Sequence, residues 1–180
     1  MKIIVAEDDA MFARSLASAL KEFKHTVTVC DNGERAWETY QTDPVRLMIS
    51  DWMMPKMDGL ELCRKVRGER GPDYCYFILL TANTGRGEYA KAMDAGVDDF
   101  LDKPLDHQRL HLRLRVADRI LTSTSRIRRL ESLLPICSYC KRIREGDREW
   151  LQLEAYMSKH ADAQFSHGIC PECMRKVSEE

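Results

Sequence analysis

Five short apolar runs, each followed by a stretch of helical periodicity, fill the first 105 residues and leave few folds open to the chain. The runs are Ile3 to Ala6, Thr26 to Cys30, Leu47 to Ser50, Phe77 to Thr81 and Val97 to Leu101. Rich in Val, Ile and Leu, they predict strands buried on both faces. Between them, Phe12, Leu16, Ala19, Leu20 and Phe23 follow Asp9, and Ala36, Trp37 and Tyr40 follow Asn32-Gly33. Leu60, Leu62, Cys63 and Val66 follow Asp58-Gly59, and Tyr89, Ala90 and Met93 follow Gly87. Strands that alternate with helices predict an α/β fold, a doubly wound five-stranded parallel sheet. Ligands of such sheets sit at the carboxyl ends of the strands, so the polar residues there carry the functional expectation.

The first run ends in Glu7-Asp8-Asp9, the third in Ser50-Asp51, the fourth in Thr81-Ala82, and the fifth is followed by Lys103-Pro104. Carboxylates gathered at one edge repel each other, and a hard divalent cation such as Mg²⁺ relieves this through oxygen ligands. A lysine and a hydroxyl nearby suit a tetrahedral oxyanion. The chemistry favoured is phosphoryl transfer onto a carboxylate.

Residues 1–105 join the acidic group after the first strand to Asp51, Met54-Pro55-Lys56-Met57-Asp58-Gly59, Thr81-Ala82 and Lys103-Pro104. In that order and spacing they resemble the receiver domain of bacterial two-component response regulators. The resemblance implies that Asp51 is the phosphoacceptor, supplied by the phosphohistidine of a sensor histidine kinase or phosphotransfer protein. It implies Asp8 as direct Mg²⁺ ligand, Glu7 as holder of a metal-bound water, and the backbone carbonyl of Met53 as the remaining protein ligand. The triple acid also allows an Asp8-Asp9 register, so Asp9 stays an alternative; Glu7-Asp8 is preferred because Ile3 to Ala6 is then the family's four-residue strand. Lys103 would pair with the phosphoryl oxygens, and Pro104 resembles the family's proline whose preceding peptide bond is often cis.

The same resemblance makes Thr81 and Phe100 a switch pair. A phosphoryl group of roughly −1.5 to −2 charge would draw the Thr81 hydroxyl inward and let Phe100 fill the vacated space; the competing reading is a merely packed Phe100. Met53 and Asn83 stand two positions after Asp51 and Thr81, where side chains of this family tune attack of water on the acyl phosphate. An apolar Met53 cannot orient water, which predicts a long-lived phosphorylated state. The expected role is a switch and not an enzyme, beyond self-phosphorylation and self-dephosphorylation of the receiver type.

From Asp106 to Leu134 there is no glycine, and the first proline is Pro135. These 29 residues predict a helix of about 43 Å, its first half the fifth receiver helix and the rest an extended linker. Val116, Ile120, Ser123, Ile127, Leu130 and Leu134 recur at alternating four- and three-residue spacing, one apolar seam with a polar break at Ser123. A lone helix cannot bury that seam, which predicts a coiled-coil homodimer through residues 116–134; packing on the chain's own terminal part is the competing arrangement. Arg126, Arg128 and Arg129 read as a solvated face.

Of seven cysteines, Cys30, Cys63 and Cys75 are scattered singly and read as packing residues. Cys137, Cys140, Cys170 and Cys173 instead form two C-x2-C pairs, separated by 29 residues, within residues 135–180. Two such pairs can complete a tetrahedral Cys₄ site for Zn²⁺, and a module this small needs such a staple because it buries little core. His167 is an alternative ligand in a Cys₃His set, or a donor to a ligand; His160 reads as a helix-end residue. Trp150, Leu153, Tyr156 and Met157 predict one face of a helix. Residues 134–173 also resemble a cysteine-rich tail of assorted bacterial signalling proteins, which implies no particular activity. Redox-active dithiols and an iron–sulfur cluster are the alternatives to zinc.

Charge separates the possible outputs. Formal net charge is −1, and residues 135–180 carry seven basic against eight acidic side chains, whereas a module contacting phosphates should be positive. The expected output is therefore interaction with an unidentified downstream protein, with a nucleic-acid-binding regulator as the alternative. The acids at residues 7–9 interrupt any secretory apolar core, and no apolar stretch approaches the roughly 18 residues of a membrane span, so the expectation is a cytoplasmic protein without membrane contact.

Overall fold

The computed structural model describes residues 1–69, 74–82, 86–131, 134–146, 149–160 and 164–178. Asn83 lies outside the described residues, as do the side chains of Arg128, Arg129 and Leu130. The chain divides into two compact units, Met1–Arg128 and Arg129–Glu180. No helix is long and apolar enough to cross a membrane among the described residues.

In the first unit, β1 (Lys2–Ala6), β2 (Thr26–Cys30), β3 (Leu47–Asp51), β4 (Tyr76–Thr81) and β5 (Asp99–Asp102) form a parallel sheet in the order β2-β1-β3-β4-β5. The helices α1 (Ala10–Glu22), α2 (Gly33–Thr42), α3 (Gly59–Gly68), α4 (Arg86–Asp94) and α5 (His107–Glu131) follow the strands in turn. Successive strand residues point to opposite faces, and both faces are covered. Ile3, Val5, Leu47, Ile49, Ile78 and Leu80 meet Leu16 and Leu20 of α1 and Leu110 and Leu114 of α5. Ile4, Met48, Phe77 and Leu79 meet Ala36 and Tyr40 of α2 and Leu62, Cys63 and Val66 of α3. Each fully buried Leu, Ile or Phe contributes about 1.5–3 kcal/mol. Cys30, Cys63 and Cys75 are all buried, and burial pushes the thiols of Cys63 and Cys75 up to about 11 and about 12.

Two strands depart from the sequence expectation. Strand β2 is not buried on both faces: Thr26, Thr28 and Val29 are exposed, because the strand order leaves β2 at the sheet edge. Strand β5 begins at Asp99 and not at Val97. The Asp98 N–H donates to the Phe77 carbonyl at 2.9 Å, and its carboxylate accepts from the Phe77 N–H at 2.7 Å and Arg67 Nη2 at 2.6 Å. Arg67 also donates to the carbonyls of Gly96 and Cys75 at 2.8 and 2.7 Å, and Tyr74 Oη donates to Asp98. Asp98 is thus a clamp between elements, and ladder pairing starts one residue later.

Helix α5 hides Leu110, Leu114, Ala117 and Leu121 against the sheet, and Arg46 Nη2 reaches the Leu121 carbonyl. The apolar seam predicted for this helix lies elsewhere on its surface: Val116 is half-buried, while Ile120 and Ile127 are exposed. The described helix runs to Glu131, and Leu134 lies outside it. Leu134 precedes Pro135, which disfavours helical backbone in the residue before it, so the seam loses its last position.

In the second unit, β6 (Ile143–Glu145) and β7 (Glu149–Leu151) form an antiparallel pair, with an isolated bridge from Ile136 to Ile143. Helices α6 (Leu153–His160) and α7 (Pro171–Ser178) follow. Trp150 lies in β7 opposite Arg144, not on the helix with Leu153, Tyr156 and Met157 as its spacing predicted. A three-residue strand offers too little period to be told from one turn of helix. His160 closes α6, where its Nε2 and Lys159 Nζ each approach Glu145 at 2.9 Å.

Candidate phosphoacceptor site

Strand order reverses between β1 and β3, and the crevice beyond their carboxyl ends is where ligands of such sheets bind. Register places Ala6 beside Ser50 and Asp51 beside Leu80, so Glu7 and Asp8 leave β1 next to the end of β3. One ligand oxygen each from Glu7, Asp8 and Asp51 lies within 4.8 Å of the others, the only such group of three or more His, Cys, Asp or Glu among the described residues. Glu7 is buried, Asp51 half-buried and Asp8 exposed, so the group opens towards solvent.

Lys103 enters from the end of β5, with its backbone N–H donating to the Thr81 carbonyl at 2.8 Å and a cis peptide bond to Pro104. Its Nζ lies 2.9 Å from Asp51 Oδ2 and 2.7 Å from Glu7 Oε2. Burial opposes the lysine's charge, but the bond to Asp51 and the contact with Glu7 outweigh it and raise the Lys103 pKa. Burial, against the pull of Lys103, raises that of Glu7. Glu7 Oε1 accepts the Asp9 N–H at 3.2 Å, whereas the buried Oε2 faces Lys103 outside hydrogen-bonding angles and has no directed partner. Three carboxylates against one lysine leave two negative charges uncompensated. That all-oxygen donor set and its excess negative charge fit a hard divalent cation.

Asp9 is placed differently. It is the N-cap of α1, accepting from the Met11 and Phe12 N–H groups at 2.8 and 3.1 Å, and those two bonds lower its pKa. The loop after Asp51 is held close: the Trp52 N–H donates to Asp51 Oδ1 at 2.7 Å, and the Gly59 N–H to the Trp52 carbonyl at 2.9 Å. Glycine is required at 59, because a Cβ there would lie 2.2 Å from the Asp51 carbonyl oxygen. Met53 turns its side chain to solvent, 72% exposed. Thr81 is buried at the end of β4. Phe100 is half-buried on β5, its ring meeting Tyr89 of α4 edge-on with centroids 4.7 Å apart.

Two residues of this neighbourhood were read from the sequence only as members of helical apolar patterns. Phe12 lies under the ammonium group, 4.5 Å from ring centroid to Lys103 Nζ, and Tyr89 is the partner of Phe100. For Phe12 a signal existed, since an aromatic residue in the first turn of a helix that starts at a strand's carboxyl end must stand near that end.

In the second unit the four tail cysteines stay as two local pairs and do not form a further group of three or more ligands among the described residues. The neighbouring Cys140 and Tyr139 N–H groups and the Cys140 thiol favour the Cys137 thiolate, and the Cys173 N–H, the Cys173 thiol and the Glu172 N–H favour that of Cys170. Their influence holds both thiols below the ordinary value. The second pair opens α7, with the Cys173 N–H 3.5 Å from Cys170 Sγ. His167 is exposed in the segment before α7.

A chemotaxis protein CheY homolog of Campylobacter jejuni is 34% identical over 116 residues, 63% of this chain and 89% of that protein. The signal receiver domain of a histidine kinase from Syntrophus aciditrophicus is 31% identical with a TM-score of 0.60, covering 69% of this chain and 92% of that one. The receiver domain of the Pseudomonas aeruginosa sensor histidine kinase PA1611, solved with a magnesium ion coordinated in its active site cleft, shares the fold at 24% identity and a TM-score of 0.59, over 66% of this chain and 94% of that one. Residues 3–115 match the family model of the response regulator receiver domain, and with well over half of its length so accounted for, the chain belongs to that family of two-component signalling proteins.

Proposed function

We propose that Asp51 accepts a phosphoryl group from the phosphohistidine of a sensor histidine kinase or phosphotransfer protein. A P–O bond to Asp51 forms as the donor's P–N bond breaks and its imidazole leaves. The observation that carries this reading is the clamp at Asp51: Lys103 Nζ at 2.9 Å on one carboxylate oxygen and the Trp52 N–H at 2.7 Å on the other, beside the buried carboxylate of Glu7, whose Oε2 lies 2.7 Å from the same lysine. Mg²⁺, as in the Pseudomonas receiver, would be held by Asp8, Asp51, the Met53 carbonyl and, through water, Glu7, and would supply charge neutralisation at the phosphoryl oxygens. Lys103 holds the remaining negative charge, and Phe12 shields its ammonium from water on one side. Thr81 and Phe100 then report the modification to the α4–β5 face, where the edge contact with Tyr89 must change if Phe100 moves.

An Asp51→Asn variant should lose labelling by acetyl phosphate with Mg²⁺, while wild type holds its label for far longer than seconds, as an exposed apolar Met53 implies. Undiminished labelling of the variant would sink the assignment. The chain acts as a switch, with no catalysis beyond its own phosphorylation and dephosphorylation.

The output reading is that the tail is a Zn²⁺ module of Cys137, Cys140, Cys170 and Cys173, with His167 outside the ligand set, presented through α5 to a downstream protein. Lowered thiol pKa values in both pairs support thiolate ligation, and they equally favour a second reading, a dithiol redox sensor. Metal analysis of freshly purified protein separates the two: stoichiometric zinc without colour supports the first, metal-free titratable thiols the second. The exposed Ile120 and Ile127 support a homodimer through α5. Light scattering with and without beryllofluoride plus Mg²⁺ tests this, and a monomer in both conditions removes it.

A further inference from the structure

We propose that a cleft between the C-terminal end of α1 and α5, remote from Asp51, binds a small phosphomonoester bearing a planar ring, of the nucleoside monophosphate class. The cleft is open to solvent and offers about 710 Å³, within the range of small-ligand sites, and its walls include Phe23, His25, His111, Leu112, Arg115 and Arg119. It opens near the start of β1, whereas Glu7, Asp8 and Asp51 stand at the carboxyl ends of the strands, and the two sites share no residue.

Charge indicates the anion. On α5, Arg109 closes on Asp102 and Asp106, and Arg113 on Asp99. Arg115 and Arg119, one helical turn apart and exposed, make no ion pair among the described residues. Among the described residues Asp118 is the only acid lining the cleft, which also has two guanidinium groups in its wall. Paired forks on one helix suit a phosphate dianion better than a lone carboxylate.

The opposite end supplies a platform for a ring. Phe23 and His111 pack as a tilted pair with centroids 4.7 Å apart, and Leu112 is 58% exposed beside them. From His111 to Arg119 the helix rises about 12 Å, close to the length of a nucleotide from base to phosphate. A ring on the platform therefore delivers its phosphate to the two arginines.

The test is calorimetric titration of the full chain with AMP and, separately, with inorganic phosphate, without added Mg²⁺. AMP should bind at one site, at least about tenfold more tightly than phosphate alone. The double variant Arg115→Ala/Arg119→Ala should weaken AMP by about tenfold or more, the loss of a charged fork. Arg126→Ala, on the same helix but outside the cleft, and Asp51→Asn should bind as wild type. Arg119→Lys, which keeps the charge and removes the fork, should fall between wild type and the double variant and guards against a folding artefact. Absence of AMP binding, equal affinity for phosphate alone, or binding indifferent to the double variant would overturn the proposal.

Discussion

The receiver unit and the tail unit carry their chemistry in opposite ways. In the receiver, the inner strands β1, β3 and β4 are covered by helices on both faces, and the site is assembled from residues that the sheet brings together: Glu7, Asp51 and Lys103 come from the ends of three strands. In the tail, Ile143 is the only buried hydrophobic residue among the described ones, while Ile136, Tyr139, Trp150, Leu153, Phe165, Ile169 and Met174 stand exposed. There the candidate ligands are organised only locally, each C-x2-C pair by the N–H groups of its own turn. A unit of about 50 residues has too little interior to hold distant groups in place, so its stability must come from a cross-link, a metal or a partner. Ligand geometry in the receiver precedes the ligand; in the tail the ligand is expected to make the geometry.

The largest effect should therefore follow from chelation. If the tail holds zinc as proposed, removing it should unfold the tail outright, a structural site contributing on the order of 10 kcal/mol, while the receiver's thermal transition stays put. Limited proteolysis before and after chelation reads this directly, and a tail equally resistant in metal-free protein would erase the contrast. Next in size is Arg67→Ala, which leaves the largely buried Asp98 without its ion pair. About 3–5 kcal/mol should be lost in denaturant unfolding, from the receiver transition alone.

Leu121→Ala should cost the receiver about 2–5 kcal/mol, because the side chain is 2% exposed under the sheet. Ile127→Ala, on the same helix but 55% exposed, should stay within about 0.5 kcal/mol in a monomer. A comparable cost for both would mean that the exposed face is covered in solution, and light scattering then separates a second copy from the chain's own terminal part.

The smallest effect is in pH. Burial holds the His25 imidazole below its ordinary value of 6.5. The unfolded chain therefore takes up the proton first, and receiver stability should decline as pH falls through 6.5 towards the lower folded value. His25→Phe should flatten that slope in melts recorded across the interval.

How much of this was legible in the sequence differs between the units for the same reason. The five apolar runs located the receiver strands because burial on two faces forces a continuous apolar run, and the edge strand β2 was over-read because its run of Val and Thr serves one face only. At the site, the sequence left Asp9 as an alternative to the preferred Glu7-Asp8 pair; backbone donors at the start of α1 separate it from them by claiming its carboxylate. On α5 the sequence reading covered one stripe and left the other unread. Two apolar stripes wind along that helix, and spacing cannot say that 110, 114, 117 and 121 face the sheet while 120 and 127 do not. In the tail, strands of three residues fall below the length at which any period is readable.

What the sequence determined by itself is the class of the receiver and which carboxylates stand at the ends of its strands, since an alternation of apolar runs and carboxylates placed at their ends has one economical arrangement in water. Only the tertiary structure decided which acids face Lys103, that Phe12 lies beneath it, and which stripe of α5 is buried. Those outcomes depend on directions and on contacts between residues far apart in the chain, and a linear pattern carries periodicity but not the angle at which one element meets another.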